Sequence, residues 1–361
     1  MVTAFPIAPG STIGILGGGQ LGRMIAMAAA RLGYRCHVFA PQKESVAAEV
    51  CARFTCADWH DADALAAFAA DCAVITYEFE NVPVDALAAI SANKLAPGPR
   101  ALEVAQDRLA EKRFVEGLGG RPAPFAAIDT RADLAAAMSE IGTPGILKTR
   151  RDGYDGKGQW SVDRPDDTAD VAIPASGLIY EARLSFEAEF SVVLARGRDG
   201  SVHFWESTRN RHDGGILVRS ELPAPDIVAD QVQEARALAA RVAEALDYIG
   251  VLTLEFFATG DGPVFNEMAP RVHNSGHWTI EGALTSQFEN HVRAICGLPL
   301  GDTSTIGIEM TMDNLIGEEA FALGRHLEDG LAHVHLYGKA VARPARKMGH
   351  VTRVNFARES Q

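Results

Sequence analysis

Residues 146–160, ILKTRRDGYDGKGQW, leave the chain few local choices. Two apolar residues and Lys148 stand at strand spacing. The run then enters a loop with glycines at 153, 156 and 158 and basic side chains at Arg150, Arg151 and Lys157. Trp160, Ser161 and Val162 can return as a second strand. Glycines let backbone N–H groups approach an anion with no side chain in the way, and Lys148 adds a point charge. The stretch is either a lid over a polyphosphate or an ordinary exposed hairpin with charged tips. It is not a P-loop, because no Gly-Lys-Ser/Thr opens a helix.

A second stretch constrains the chemistry. Residues 251–268 read VLTLEFFA, a turn around Gly260, Asp261 and Gly262, then PVFNEM, the signature of a β-hairpin. If Thr259 pairs with Pro263, Glu255 lies opposite Glu267 on one face. Two carboxylates about 5 Å apart repel, and apolar neighbours make an unpaired charge costly. A divalent cation answers both problems. The oxygen ligands Glu255, Glu267 and Asn266 suit Mg2+, whose shell nucleotide phosphates complete. A register one residue off, with one glutamate in solvent, is the alternative. The loop that follows, APRVHNSGHW, gathers Arg271, His273, Asn274, Ser275 and His277. That density of donors reads as a substrate-anion pocket beside the metal.

The rest of the chain divides by pattern. Residues 12–16, 35–40 and 73–77 are short apolar strands. Helices run from the glycine turn at 17–22 to about Leu32 with Gly33 as C-cap, from Asp61 to Ala70, and from about Val84. Such alternation implies a doubly wound parallel sheet. After Pro97–Pro99, residues 101–117 read as one charged helix. Pro122-Ala123-Pro124 opens a smaller α+β unit, with strands at 125–128 and 178–181, a helix over 131–141 and the hairpin described first. Beyond it, 189–195 and 202–207 read as strands of a larger antiparallel sheet. Residues 226–249 form an amphipathic helix ended by Gly250, and 286–296 a helix with a Ser286–Glu289 capping box.

Gly17, Gly19 and Gly22 satisfy G-x-G-x-x-G, but a dinucleotide site needs an acid at the end of the second strand. That strand ends Phe39-Ala40-Pro41, and the first acid is Glu44. What survives is a site for a single phosphate or small anion at the helix N-terminus, helped by Arg23. A net charge of −13 argues against nucleic acid as a partner. It also makes the basic run RPARKMGH at 343–350, with Lys339 before it, stand out as either a solvated tail or a second phosphate site. The five cysteines, odd in number and without C-x-x-C spacing, read as reduced thiols of a cytoplasmic protein. No run approaches ~20 apolar residues, so no membrane span is expected, and the N-terminus lacks the features of a signal peptide.

The order of these parts resembles the ATP-grasp superfamily. Within it, GGGQLGRM at 17–24, GYDGKGQW at 153–160, NEMAPRVHNSGHWT at 266–279 and RKMGH at 346–350 are similar to the N5-carboxyaminoimidazole ribonucleotide synthetases of purine biosynthesis. The resemblance implies an N-terminal doubly wound domain (1–120), a small α+β lid domain (121–186) and a larger C-terminal α+β domain with an antiparallel sheet (187–361). It implies an ATP-dependent carboxylation of aminoimidazole ribonucleotide by bicarbonate, through carboxyphosphate, with two Mg2+ ions, by a homodimer.

The resemblance also assigns roles. Arg108 and Lys148 contact ATP phosphates, and Gly153, Tyr154, Asp155, Gly156, Lys157, Gly158 and Gln159 form the lid loop. Glu181, Ala182, Arg183 and Leu184 hold the adenine through backbone hydrogen bonds. Glu189 binds the ribose, His212 and Asn266 line the nucleotide site, and Glu255 and Glu267 hold Mg2+. Arg271, His273, Asn274 and Ser275 surround bicarbonate. Lys339 and Arg346, with Lys347, clamp the ribonucleotide phosphate. Gly19, Gln20, Glu78 and Tyr154 face the same substrate, and Asp155 faces its amine. Lys148, Asp155, Arg271 and His273 are the residues implied in catalysis.

Overall fold

The alternating pattern of the first 77 residues folds into a parallel sheet. Its parts are β1 (Thr12–Leu16), α1 (Gln20–Arg31), β2 (Arg35–Ala40), β3 (Arg53–Cys56), α2 (Ala62–Asp71) and β4 (Val74–Tyr77), in the strand order β3-β2-β1-β4. The structure is a computed structural model and describes residues 5–153 and 158–356. β3 escapes the sequence pattern because it is a half-exposed edge strand, RFTC, with no apolar run. The helix expected from Val84 is only a 3-10 turn, Asp85–Ala89.

Residues 99–117 form two helices rather than one, α3 (Pro99–Ala105) and α4 (Arg108–Gly117). Asp107 makes the break. It is extended, and its carboxylate accepts from the Leu109 and Ala110 amides at 3.0 and 3.1 Å, which satisfies two orphan donors of α4. That break starts a new helix at Arg108 and aims its first turn at the lid, where the Arg108 amide donates to the Arg150 carbonyl at 2.9 Å.

The small sheet contains β5 (Phe125–Ile128), β6 (Gly145–Thr149), β7 (Gln159–Val162) and β8 (Leu178–Ala182), in the order β5-β8-β6-β7, with α5 (Arg131–Glu140) between β5 and β6. β6 and β7 pair antiparallel, Lys148 opposite Gln159, so the glycine stretch is a hairpin.

The large sheet follows. Its first part is β9 (Ala188–Arg196), β10 (Val202–Phe204), β11 (Arg209–Asp213), β12 (Ile216–Leu222), α6 (Asp226–Ala245), β13 (Gly250–Thr259) and β14 (Gly262–Ala269). Then come α7 (Thr279–Gly282), α8 (Gln287–Cys296), β15 (Glu309–Ile316), α9 (Leu323–Leu327), β16 (Ala332–Leu336) and β17 (Lys347–Asn355). The order is β14-β13-β9-β11-β12-β15-β17-β16, with β10 on β9. α6 is shorter than the periodicity suggests. Asp247 turns left-handed at φ 45°, and Gly250, at φ 126°, already belongs to β13.

β13 shows why the sheet is buried on both faces. Leu252, Leu254 and Phe256 pack with Val228, Leu238 and Val242 of α6. Val251, on the opposite face, shares a core with Phe288 and Val292 of α8 and with Ile13, Ile15, Met24 and Ile25 of the parallel sheet. Period-2 alternation thus sends one set of side chains to each layer. Glu255 stands on the face shared with the N-terminal sheet. Among the described residues no helix is long and apolar enough to cross a membrane.

Candidate active site

The β13–β14 hairpin carries the acid pair, and its register corrects the expectation. Thr259 pairs with Gly262, not Pro263, and the ladder continues Ala258–Pro263, Phe257–Val264, Phe256–Phe265. Asn266 is then an extra residue, a β-bulge that shifts the ladder back and sets Glu255 opposite Glu267. Glu255 is buried, whereas the Glu267 side chain is 42% exposed and lines the same cavity. Burial and repulsion from Glu267 push the Glu255 carboxyl up to about 7. Desolvation works to raise Glu267, yet Arg108, Lys148 and Lys112 bring it below its usual value. Two opposed carboxyls with Asn266 adjoining form an all-oxygen donor set. That donor set fits Mg2+.

Cations gather around the acids. Arg108 contacts Glu267 at 3.1 Å and the Gly153 carbonyl at 3.3 Å, so it ties α4, the hairpin and the lid loop together. Lys148 lies 2.9 Å from the Glu181 carboxylate, and Lys112 approaches the same oxygen at 3.2 Å. Lys112 also donates to the Asn266 carbonyl at 3.1 Å, which holds the bulge. Burial lowers the Lys148 pKa, and the neighbouring cations Lys112 and Arg108 lower it further against the pull of Glu181. Glu111 accepts from the Met268 amide at 2.7 Å, and burial with repulsion from Glu267 pushes it up to about 8.

A cavity of about 990 Å³ runs from this cluster to the C-terminal loop. At the acid end it is lined by Arg108, Glu111, Lys148, Gly153, Gln159, Glu189, His212, Glu255, Asn266 and Glu267. Gly19, Gln20, Glu78, Arg271, His273, Asn274, Lys339, Arg346 and Lys347 line the other end. His273 bridges the two. Its Nε2 lies 3.2 Å from Glu255, its Nδ1 meets the Ser275 hydroxyl at 2.8 Å, and burial holds its pKa well below the usual histidine value. Arg271 pairs with Glu80, and His212 with Glu189. The Asn274 and Asn314 amides bond each other reciprocally at 2.9 and 2.6 Å. Lys339 donates to the Lys347 carbonyl at 2.6 Å. The basic run is therefore no tail: Lys347 opens β17, which lies between β15 and the edge strand β16 of the large sheet, and lines the cavity with Lys339 and Arg346.

Several expectations are corrected. The glycine turn at 17–22 already holds an anion, the carboxylate of Glu78, which accepts from the Gly19 amide at 2.8 Å and the Gly22 amide at 3.3 Å. Arg23 faces Glu49 at 2.6 Å instead of assisting there. Ser275 is fully buried beneath His273, and His277 is packed among Phe288, Tyr337 and His350; neither lines the cavity. Ala182, Arg183 and Leu184 also lie outside the lining, and the Ala182 and Arg183 amides are donated to Pro124 and Pro144. Glu181 turns its side chain between two lysines. Arg150 and Arg151, at the hairpin's base, pair with Asp129 and Asp107. Gly158 closes the hairpin, its carbonyl accepting from Thr149 at 2.8 Å. Tyr154, Asp155, Gly156 and Lys157 lie outside the described residues.

Glu80, Glu111 and Lys112 were missed. For the last two a signal exists. Arg108, Glu111, Lys112 and Val115 are spaced 3, 4 and 7 residues from the start of α4, one helical face, and that face ends in a fully buried valine.

Family models match the chain from end to end. Residues 11–106 match a ribonucleotide synthetase preATP-grasp domain, 113–288 an ATP-grasp domain, and 311–360 a phosphoribosylaminoimidazole carboxylase C-terminal domain. A relative in Brucella melitensis, an N5-carboxyaminoimidazole ribonucleotide synthase, is 48% identical over 96% of this chain and 97% of its own. The crystal structure of the Thermus thermophilus synthetase superposes with a TM-score of 0.89 at 48% identity, covering 96% of this chain and 94% of that one. An Aspergillus clavatus synthase, solved in complex with ADP and 5-aminoimidazole ribonucleotide, gives 0.88 at 30% identity over 96% and 94%. The cavity, its acid pair and these likenesses lead to one assignment: the chain belongs to the N5-carboxyaminoimidazole ribonucleotide synthase family of ATP-grasp ligases.

Proposed function

We propose that the chain carboxylates 5-aminoimidazole ribonucleotide with bicarbonate, consuming ATP and releasing ADP and phosphate, within purine biosynthesis. The observation that carries this reading is a single cavity with paired acids and buried cations at one end and Lys339, Arg346 and Lys347 at the other. ATP belongs at the first end and the ribonucleotide phosphate at the second.

Bicarbonate is a poor electrophile, and transfer of the ATP γ-phosphoryl group to one of its oxygens makes that oxygen a leaving group. Lys148 and Arg108 balance charge on the transferring group. Mg2+, held by Glu255 and Glu267 beside Asn266, supplies further charge neutralisation when bound. Arg271 and His273, with Asn274 behind them, hold the bicarbonate and the carboxyphosphate made from it; Ser275 acts through His273. The glycine hairpin shields that labile species from water. Carboxyphosphate releases CO2 in place, and the ribonucleotide amine captures it. The family resemblance assigns Asp155 and Tyr154 to that amine. Glu189 and His212 take the ATP ribose. We further propose the three-domain division at 120 and 186, which the three sheets support, and a cytoplasmic homodimer, for which the five free thiols and the family likeness speak.

The phosphate clamp is testable directly. Lys339→Ala removes one charge-assisted hydrogen bond, worth roughly 1.5–3 kcal/mol. It should raise the KM for the ribonucleotide about tenfold or more and leave the KM for ATP nearly unchanged. An unaltered ribonucleotide KM would remove the assignment.

A further inference from the structure

Outside the cavity, three side chains from three elements converge on a spot that the reaction does not use. His335 on β16 and His350 on β17 are direct cross-strand partners, and their rings stack with centroids 4.6 Å apart. Glu281, on the short helix α7 packed against β17, meets His335 Nε2 at 2.6 Å through one carboxylate oxygen. The donor atoms of all three lie within 4.8 Å of one another.

The hydrogen bonding around this group is incomplete. Among the described residues, the second Glu281 oxygen and His350 Nε2 are buried without a hydrogen-bond partner, and so is Nε2 of His277, whose ring lies 4.9 Å from that of His350. His277 and His350 have no exposed surface. The other nitrogen of each ring is taken: His350 Nδ1 meets the Tyr337 hydroxyl at 2.9 Å, and His277 Nδ1 meets the Gln287 amide at 3.2 Å. A ring fixed through one nitrogen, with the other left without a hydrogen-bond partner, is how a ligating histidine is held. Buried polar atoms left unpaired are costly, so three together call for an occupant.

We infer that Glu281, His335 and His350 form a second cation site, for a transition-metal ion of the Zn2+ class, distinct from the acid pair of the cavity. Imidazole nitrogens with a single carboxylate favour Zn2+ over Mg2+ or Ca2+. Tetrahedral donors at Zn2+ bond lengths stand about 3.4 Å apart, so the three atoms close on an ion with small side-chain rotations. A water takes the fourth position. Entry is through His335, whose side chain is 25% exposed. The ion would staple β16 and β17 to α7, just before the loop that carries Lys339.

Cobalt(II) is a suitable probe because low-coordinate Co2+ absorbs visibly while octahedral Co2+ absorbs weakly. The full-length chain, stripped with chelator, should take up one equivalent of Co2+ with an intense visible band, and Zn2+ should bleach that band and raise Tm. Glu281→Gln and His335→Gln, both at partly exposed positions, should each lose the band or weaken uptake at least tenfold. Glu267→Gln, in the cavity, should keep it. No intense band in the unmutated chain, a band undiminished in both Glu281→Gln and His335→Gln, or a band lost in Glu267→Gln would each overturn the site; a bridging water is then what satisfies these groups.

Discussion

Glu181 illustrates how a single side chain shapes the reactive centre without lining it. It is almost fully buried, and one of its oxygens faces both Lys148 and Lys112. Removing its charge leaves two lysines crowded in low dielectric, and breaking a buried pair from one side costs about 3–5 kcal/mol. Glu181→Gln should therefore lower unfolding free energy by about that amount in urea titration and raise the KM for ATP more than that for the ribonucleotide. Equal effects on the two KM values would mean that Glu181 does not position Lys148. At this scale the sequence was partly legible. Lys148, Glu255 and Glu267 announce themselves because each interrupts an apolar strand, where a charge needs a reason. Lys112 and Glu111 sit in a charged helix, where a solvated face reads the same as a buried one until its phase is followed to Val115. Ser275 and His277 carry the converse lesson: donors adjacent in sequence were dispersed by the 3-10 turn at Asn274–Gly276, which buries both.

The hairpin is the element on which the chemistry turns. The turn signature and alternation were enough to find it and to oppose the two acids, but the turn is one residue tighter than the spacing suggests. The pairing holds only because Asn266 bulges, and bulges leave little mark on a sequence. Since a one-residue slip sends every following side chain to the opposite face, inserting one alanine between Phe265 and Asn266 should place Glu267 opposite Leu254 and turn it away from Glu255. We expect a loss of kcat of about 100-fold or more, of the size attributed to a missing metal-centred charge. Asn266→Ala, which keeps the bulge, should lose far less. Comparable activity in the insertion and the alanine variant would show that the opposed acids are not required. The break at Asp107 is a similar case: helix propensity continues through it, and only the capping geometry reveals that Arg108 begins a new helix directed at the lid.

For the molecule as a whole, three sheets meet around one cavity, and the groups that line it come from residues as far apart in the chain as Gly19 and Lys347. Local pattern located the parallel sheet, the lid hairpin and the large antiparallel sheet. It could not show that the basic run near the C-terminus forms a strand of the large sheet and faces the same space as the lid, because that depends on long-range pairing of β17 with β15 and β16. Nor could it show that Glu78 fills the glycine turn from 56 residues beyond Gly22. Convergence of the two cation clusters on one cavity is the central claim, and ADP release tests it most directly. With ribonucleotide and bicarbonate both present, ADP should form in step with carboxylated product; withholding either should abolish product and cut ADP release to a small fraction. Full ADP release without bicarbonate, or none with all three substrates supplied, would contradict the account.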